Sequence, residues 1–285
     1  MKNGIVLEGG AMRGLFTAGV IDVLMENGID FDGAVGVSAG AAFGCNYKSG
    51  QPGRAVRYNT RFAQDKRYCS KRSLIRTGDL YNADFCYHEV PKKLDIFDFE
   101  AYEKSPMEFY MVCTDVETGK PVYHKCTKMD DNGLEWLRAS ASLPLVSRIV
   151  EIDGRKLLDG GITDSIPLRF MEKIGYERNL VVLTQPRDYR KEKTGAMPMI
   201  KLTMRKYPHL IKAVAHRHEM YNSELEYIRK AESEGRAFVI APDGPLPVKR
   251  VEHDPDKLRE AYRIGRMAAK KALPELRAFF GTEKA

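Results

Sequence analysis

The segment Gly36-Val37-Ser38-Ala39-Gly40 constrains this chain more than any other. A short apolar run, Ala34 to Val37, precedes it, and a helix is expected to begin just after Ser38. G-x-S-x-G between a strand and a helix describes a nucleophile elbow. The sharp turn pushes the serine out at the end of a buried strand. Gly36 and Gly40 leave the space that the crowded backbone needs there. The helix N-terminus behind the serine also favours negative charge developing near its hydroxyl. The same residues are compatible with a glycine-rich turn capped by a serine.

The surrounding pattern alternates strands and helices. Gly4 to Leu7 reads as a buried strand ended by Gly9-Gly10. Leu15 to Asn27 has helical spacing, with Gly28 at the stop position. Residues 49–105 read as loops and short helices. Phe109 to Val112 is a strand, and Asn132 to Ser142 is a helix stopped by Pro144. Val150 to Leu158 forms a hairpin around Asp153-Gly154. Asp164 is placed to cap a helix running to about Ile174, followed by a strand from Leu180 to Thr184. Beyond Pro186 the chain reads as mostly helical, with one strand at Ala237 to Ala241 and a final helix from Pro255 to about Phe280. This order predicts an α/β fold with three layers, α/β/α, around a mainly parallel sheet. Residues 1–185 are expected to form the α/β domain. Residues 186–285 are expected to form a mostly helical C-terminal region packed upon it.

Two further glycine-rich segments follow predicted strands. Gly9-Gly10-Ala11-Met12-Arg13-Gly14 presents backbone N–H groups that can hold an oxyanion or a phosphate. It lacks the G-K-[ST] of a Walker loop, and Ala11 breaks the dinucleotide fingerprint. Arg13 is equally suited to an anionic ligand or to a nearby acid. Asp159-Gly160-Gly161 leaves a carboxylate exposed in a tight turn, which by itself is common turn chemistry.

Taken together and in this order, the three segments resemble the patatin-like phospholipases, whose pattern is G-G-G-x-R/K-G, then G-x-S-x-G, then D-G-G/A. Ala141-Ser142-Leu143-Pro144, preceded by Ala139-Ser140, is similar to that family's A-S-x-x-L-P segment. The resemblance covers residues 1 to about 185, and residues 186–285 look like the C-terminal region of a bacterial subgroup. It implies a serine acyl hydrolase with Ser38 as nucleophile and Asp159 as its partner in a Ser–Asp dyad. The loop Gly9, Gly10, Ala11, Met12, Arg13 and Gly14 would be the oxyanion hole. Ala11 departs from the pattern, because its methyl narrows the loop while keeping the N–H. The substrate would be a fatty-acyl ester lipid, with no cofactor and no metal.

The order of elements also separates hydrolase types. An α/β-hydrolase places several strands before its elbow and a catalytic histidine after its acid. Only one strand precedes Ser38. None of the six histidines sits in a glycine-rich or strand-end context. His216 and His218 lie two apart, so they do not share a helix face and are expected at the surface.

Charge and cysteine content bound the partners. The net charge is +7. Residues 186–285 carry 22 lysines and arginines against 14 acids, and residues 48–76 carry nine basic residues and one acid. Tyr58, Phe62 and Tyr68 in the second segment would suit peripheral contact with an anionic membrane; a solvated lid is the other reading. Five cysteines without C-x-x-C spacing suggest a reducing compartment. With no apolar run of membrane-spanning length, the expectation is a cytoplasmic protein that can touch the inner face of the membrane. Nucleic acid is not expected as a partner, because no recognition motif accompanies the charge. An acyltransferase using the same dyad, or a non-catalytic anion-binding module, are the competing functions. Nothing in the sequence speaks to oligomeric state.

Overall fold

The computed structural model describes residues 1–281. The first strand and helix are β1 (Lys2–Leu7) and α1 (Gly14–Glu26), followed by β2 (Gly33–Val37) and α2 (Ala39–Lys48). Next come α3 (Arg54–Phe62), α4 (Lys71–Thr77), a π-helical segment (Asp84–Leu94) and α5 (Phe99–Lys104). The strand β3 (Glu108–Asp115) is followed by β4 (Lys120–Lys125), α6 (Asp131–Ser140), β5 (Val150–Ile152) and β6 (Arg155–Asp159). Then come α7 (Leu168–Lys173), β7 (Tyr176–Val182), α8 (Met197–Thr203), α9 (Pro208–Ser233), β8 (Ala237–Ile240) and α10 (Pro255–Phe280).

The eight strands form one sheet in the order β5-β6-β3-β2-β1-β7-β8, with β4 also paired to β3. The pairs among β3, β2, β1, β7 and β8 are parallel; β4, β5 and β6 join antiparallel. Side chains alternate between the faces, as strand geometry requires. Ile5, Leu7, Ala34, Met111 and Val182 face a core shared with α1, α6 and α10. Val6, Val35, Val37, Val112 and Val181 face the opposite core, closed by α7 and α9. The three-layer α/β/α arrangement expected from the sequence is therefore present. Residues after 186 contribute β8 to the sheet and one covering helix to each face.

Two local expectations fail. Asp164 does not cap a helix: its carboxylate accepts the Tyr123 hydroxyl at 2.6 Å. Glu224 of α9 accepts the Ser165 and Ile166 amides at 3.1 Å each. Pro167 restricts the residue before it, so α7 begins only at Leu168. β4 was not expected, because Pro121 within Lys120–Lys125 weakens any strand signal. Pro is tolerated there because β4 lies at an edge.

Candidate active site

Two strand ends meet along one edge of β3. β2 runs parallel to β3 with Val37 opposite Val112. β6 runs antiparallel with Asp159 opposite Cys113. β4 occupies the other edge from Tyr110 to Asp115, so β2 and β6 share the near edge and point their C-terminal ends at each other. Ser38 follows Val37 directly. Adjacent register positions on β3 thus bring together residues far apart in sequence: the Ser38 hydroxyl lies near enough to the Asp159 carboxyl to favour its charged form, although no hydrogen bond joins the two among the described residues.

Ser38 sits at φ 55, ψ −121 as the N-cap of α2. Such a conformation costs roughly 1–3 kcal/mol and persists only when its surroundings enforce it. The enforcement is visible. A Cβ at Gly40 would lie 2.1 Å from the Leu7 carbonyl oxygen, and one at Gly36 would lie 2.5 Å from the Ala41 Cα. The Ser38 N–H donates to the Ser140 hydroxyl oxygen at 3.0 Å, and that hydroxyl donates to the Val112 carbonyl at 2.7 Å. The Asp159 N–H donates to the Ser142 carbonyl at 2.7 Å. The end of α6 therefore holds both halves of the site, which explains why Ala139–Pro144 travels with the other motifs. Ser140→Ala leaves a buried amide and a buried carbonyl unpaired, so it is expected to destabilise the fold by about 1–3 kcal/mol. Urea unfolding measures this, and an unchanged midpoint would exclude the bridging role.

The glycine loop lies over the elbow: a Cβ at Gly9 would sit 2.9 Å from the Ser38 Cβ. Its six amides are not equivalent. Met12 N–H donates to the Arg250 carbonyl at 3.4 Å and Arg13 N–H to the Gly10 carbonyl at 3.2 Å. Gly14 N–H is taken by the carbonyls of Ala11 and Met12. Among the described residues, only the amides of Gly9, Gly10 and Ala11 lack an acceptor, so of the six loop amides these three are free to hold an anion. Ala11 adopts φ 49, a left-handed conformation that strains a residue with a Cβ by about 1–2 kcal/mol. This is the position where the family pattern carries glycine. Arg13 lies near Glu8, and its Nε is buried without a partner.

Asp159 is 2% exposed, so the turn buries the carboxyl that the sequence alone placed in the open. Burial pushes its carboxyl above the usual aspartate range, against the opposing influence of Arg217, Ser38, the Gly161 amide and Arg250. Gly161 N–H donates to Asp159 at 2.8 Å, and Arg217 Nε donates to the Gly161 carbonyl at 2.5 Å. Glu8, buried at the end of β1, accepts the Thr184 amide at 2.5 Å and the Tyr221 hydroxyl at 2.7 Å. This ties α9 to the sheet beside the loop. The sequence signalled Glu8 only as a charge in an apolar run. It gave no signal for Arg217, which sits among many charges on a long helix.

Ser38 opens into a cavity of 770 Å³. One wall follows α2 from Ser38 to Cys45 and continues to Phe97 and Leu134. The lining also includes Lys191, Arg217, His218 and Arg250. Two sequence expectations change here. His218 is not a surface residue: its side chain is 14% exposed and borders the cavity, while His216 is exposed. His218 makes no hydrogen bond to Ser38 or Asp159 among the described residues. The aromatics expected at a lipid interface are also withdrawn from the surface. Phe62 and Tyr68 are buried against Phe85, and Tyr58 packs on Phe43. Two of the accompanying cations are buried as well: Lys48 donates to the Ser105 carbonyl, and Arg54 pairs with Asp95 at 3.3 Å. This segment builds the cavity wall. No helix among the described residues is long and apolar enough to cross a membrane.

Comparison with known proteins agrees with this arrangement. The family model described as "Patatin-like phospholipase" matches residues 5–171. A second, described as a domain of unknown function (DUF6363), matches residues 207–281. The chain is 31% identical over 281 residues to "Uncharacterized protein YjjU" of Escherichia coli, covering 93% of this chain and 75% of that protein. It is 32% identical over 168 residues to "Uncharacterized NTE family protein Mb1092c" of Mycobacterium bovis, covering 58% of this chain and 44% of that one. It is 31% identical over 183 residues to "Lysophospholipase nte1" of Aspergillus terreus, covering 60% of this chain and 11% of that protein. The matched residues 5–171 contain the glycine loop, the elbow, the end of α6 and Asp159: the chain belongs to the patatin-like phospholipase family.

Proposed function

We propose that the chain is a serine acyl hydrolase that cleaves fatty-acyl esters of lipids through a Ser38–Asp159 dyad. The observation that carries this reading is the head-to-head placement of β2 and β6 on one edge of β3, beneath three unpaired amides. The family's description and the lysophospholipase among its relatives support a lipid ester as substrate.

In the proposed reaction Ser38 Oγ attacks the ester carbonyl carbon while its proton passes to the Asp159 carboxylate. The oxyanion lies against the amides of Gly9, Gly10 and Ala11, each such donor being worth about 2.7–4 kcal/mol in related chemistry. The carbon–alkoxy bond then breaks, and the leaving alcohol takes the proton from Asp159. Water attacks the resulting acyl-Ser38, giving its proton to Asp159, and collapse returns that proton to Ser38 as the fatty acid departs. A raised carboxyl pKa suits Asp159 to this task, because a stronger base is a better match for a serine hydroxyl.

A fluorophosphonate probe tests the nucleophile: labelling is expected in the wild type and absent in Ser38→Ala. The pH–rate profile tests the base. Only the carboxylate accepts a proton, so kcat/KM is expected to fall in acid around a value above the ordinary aspartate pKa. No histidine step near about pH 6.5 is expected. A step there that disappears in His218→Gln would overturn the dyad.

A further inference from the structure

The wall contributed by residues 186–254 has an electrostatic character that hydrolysis of a neutral ester does not require. Lys191, Arg217 and Arg250 border the same cavity as Ser38. Their charges act on one another, and those of Arg217 and Arg250 reach Asp159. Of the other cations on the cavity, Arg54 is paired with Asp95 at 3.3 Å, Arg138 with Glu135 at 2.7 Å and Arg190 with Glu226 at 2.8 Å, while Lys193 and the carboxylate of Glu192 line it without an ion pair among the described residues. Among the described residues, none of Lys191, Arg217 and Arg250 is salt-bridged. The Arg217 Nε is used on Gly161, and its terminal nitrogens carry no hydrogen bond. Glu8 lies behind them, bound to Thr184 and Tyr221.

The three cations repel one another, and the two carboxylates that act on them, Asp159 and Glu8, are outnumbered, so the cluster can still accept an external anion. Burial, and then the nearby Arg217 charge, push the Lys191 ammonium down to about 8. Lys191 is nevertheless held in place, its backbone clasped by Asn222, which accepts its N–H at 2.9 Å and donates to its carbonyl at 3.1 Å. Its ammonium stands 4.3 Å from the centre of the Tyr221 ring. Lys191 and Arg217 are therefore anchored before any ligand arrives.

We propose that Lys191, Arg217 and Arg250 form an anion subsite that receives the phosphate of an acidic lysophospholipid while its acyl ester lies at Ser38. This rests on the hydrolase reading given above. The charge pattern sharpens specificity by repulsion as well as attraction. A phosphate with an uncharged headgroup satisfies the cluster, whereas the ammonium of a phosphocholine meets three like charges. A neutral monoacylglycerol leaves the cluster uncompensated. The subsite lies outside residues 5–171, so substrate choice is assigned to the C-terminal region and bond cleavage to the family-matched part.

The test compares kcat/KM for 1-palmitoyl-lysophosphatidylglycerol with that for 1-palmitoylglycerol and for 1-palmitoyl-lysophosphatidylcholine. The acidic lipid is expected to be preferred by the wild type. Lys191→Gln and Arg250→Gln are each expected to lower that preference by about tenfold or more, the usual effect of losing one charged hydrogen bond. Lys191→Arg, which keeps the charge, is expected to retain most of it. Equal losses on all three lipids, or an unchanged ratio, would overturn the subsite while leaving the hydrolase intact. If inorganic phosphate changes turnover of 1-palmitoylglycerol and the ratio does not move, the cluster serves free phosphate and the proposal fails. Absence of fluorophosphonate labelling at Ser38 would remove the hydrolase reading and this one with it. Arg217 is left unsubstituted because it also positions Gly161.

Discussion

Asp159→Asn is expected to lower kcat/KM for ester hydrolysis by about 10²–10⁴-fold while raising thermal stability above neutral pH. Asparagine keeps the oxygen that accepts the Gly161 amide but cannot take the Ser38 proton. The stability effect follows from the direction of the pKa shift. Burial makes the charged form of Asp159 unfavourable, so its folded-state pKa stands above the unfolded value. The neutral carboxyl is fully tolerated below the unfolded pKa. As pH rises through the folded pKa, the charge forms in a buried place and stability is lost. Asparagine never forms that charge. The variant should therefore melt higher than the wild type at about pH 8, and the difference should close as pH falls toward about 4. Thermal melts at the two pH values check this. Lower stability of the variant at the higher pH would mean that attraction from Arg217 and Arg250 outweighs desolvation.

Gly265→Ala should be among the most damaging single-methyl additions in the molecule. Gly265 lies where α10 crosses α1, and a Cβ there would stand 2.0 Å from the Phe16 carbonyl oxygen and 2.9 Å from the Phe16 Cα. Across the same contact, a Cβ at Gly19 would stand 2.1 Å from the Tyr262 carbonyl oxygen. These obstacles are backbone, so the helices themselves must part. Alanine gains about 1 kcal/mol of helix propensity over glycine. Overpacking typically costs about 1–3 kcal/mol. Contacts this short belong at the upper end, so the net loss is expected near 2 kcal/mol, or a fall in Tm of roughly 4–8 °C. Gly244→Ala is the control. Nothing lies within 4 Å of its added Cβ, so its midpoint should move by less than about 0.5 kcal/mol. Equal effects of the two substitutions would show that α10 is not tightly docked.

The sequence was most informative where chemistry depends on local backbone. The elbow, the glycine loop and the Asp153-Gly154 hairpin are written in neighbouring residues, because a turn is decided by the residues within it. Asp153 and Gly154 indeed both take positive φ, 49° and 73°. It was silent where position depends on distant partners. Arg217 reaches Asp159 only because Glu8 and Tyr221 fix α9 against the sheet, and no spacing within α9 encodes that. Ser140 supports Ser38 across 102 positions, a relation visible only once β2 and α6 are side by side. Asp164 misled because its turn is held by Glu224 from another helix, which overrides the local capping preference. Phe62 and Tyr68 misled because their composition suits an interface and an interior equally well.

The crossing of α1 and α10 also has a consequence for biosynthesis. Roughly 240–250 residues separate the two faces that meet there. At about 5–20 residues per second, a ribosome takes on the order of 10–50 s to deliver the second after the first. Throughout that interval the side of α1 that meets α10 lacks its partner, and Ser38 and Asp159 are both translated before it ends. A nascent chain therefore carries Ser38 and Asp159 before it can shield that side of α1, and an apolar helix face is expected to stay open to chaperones in the meantime.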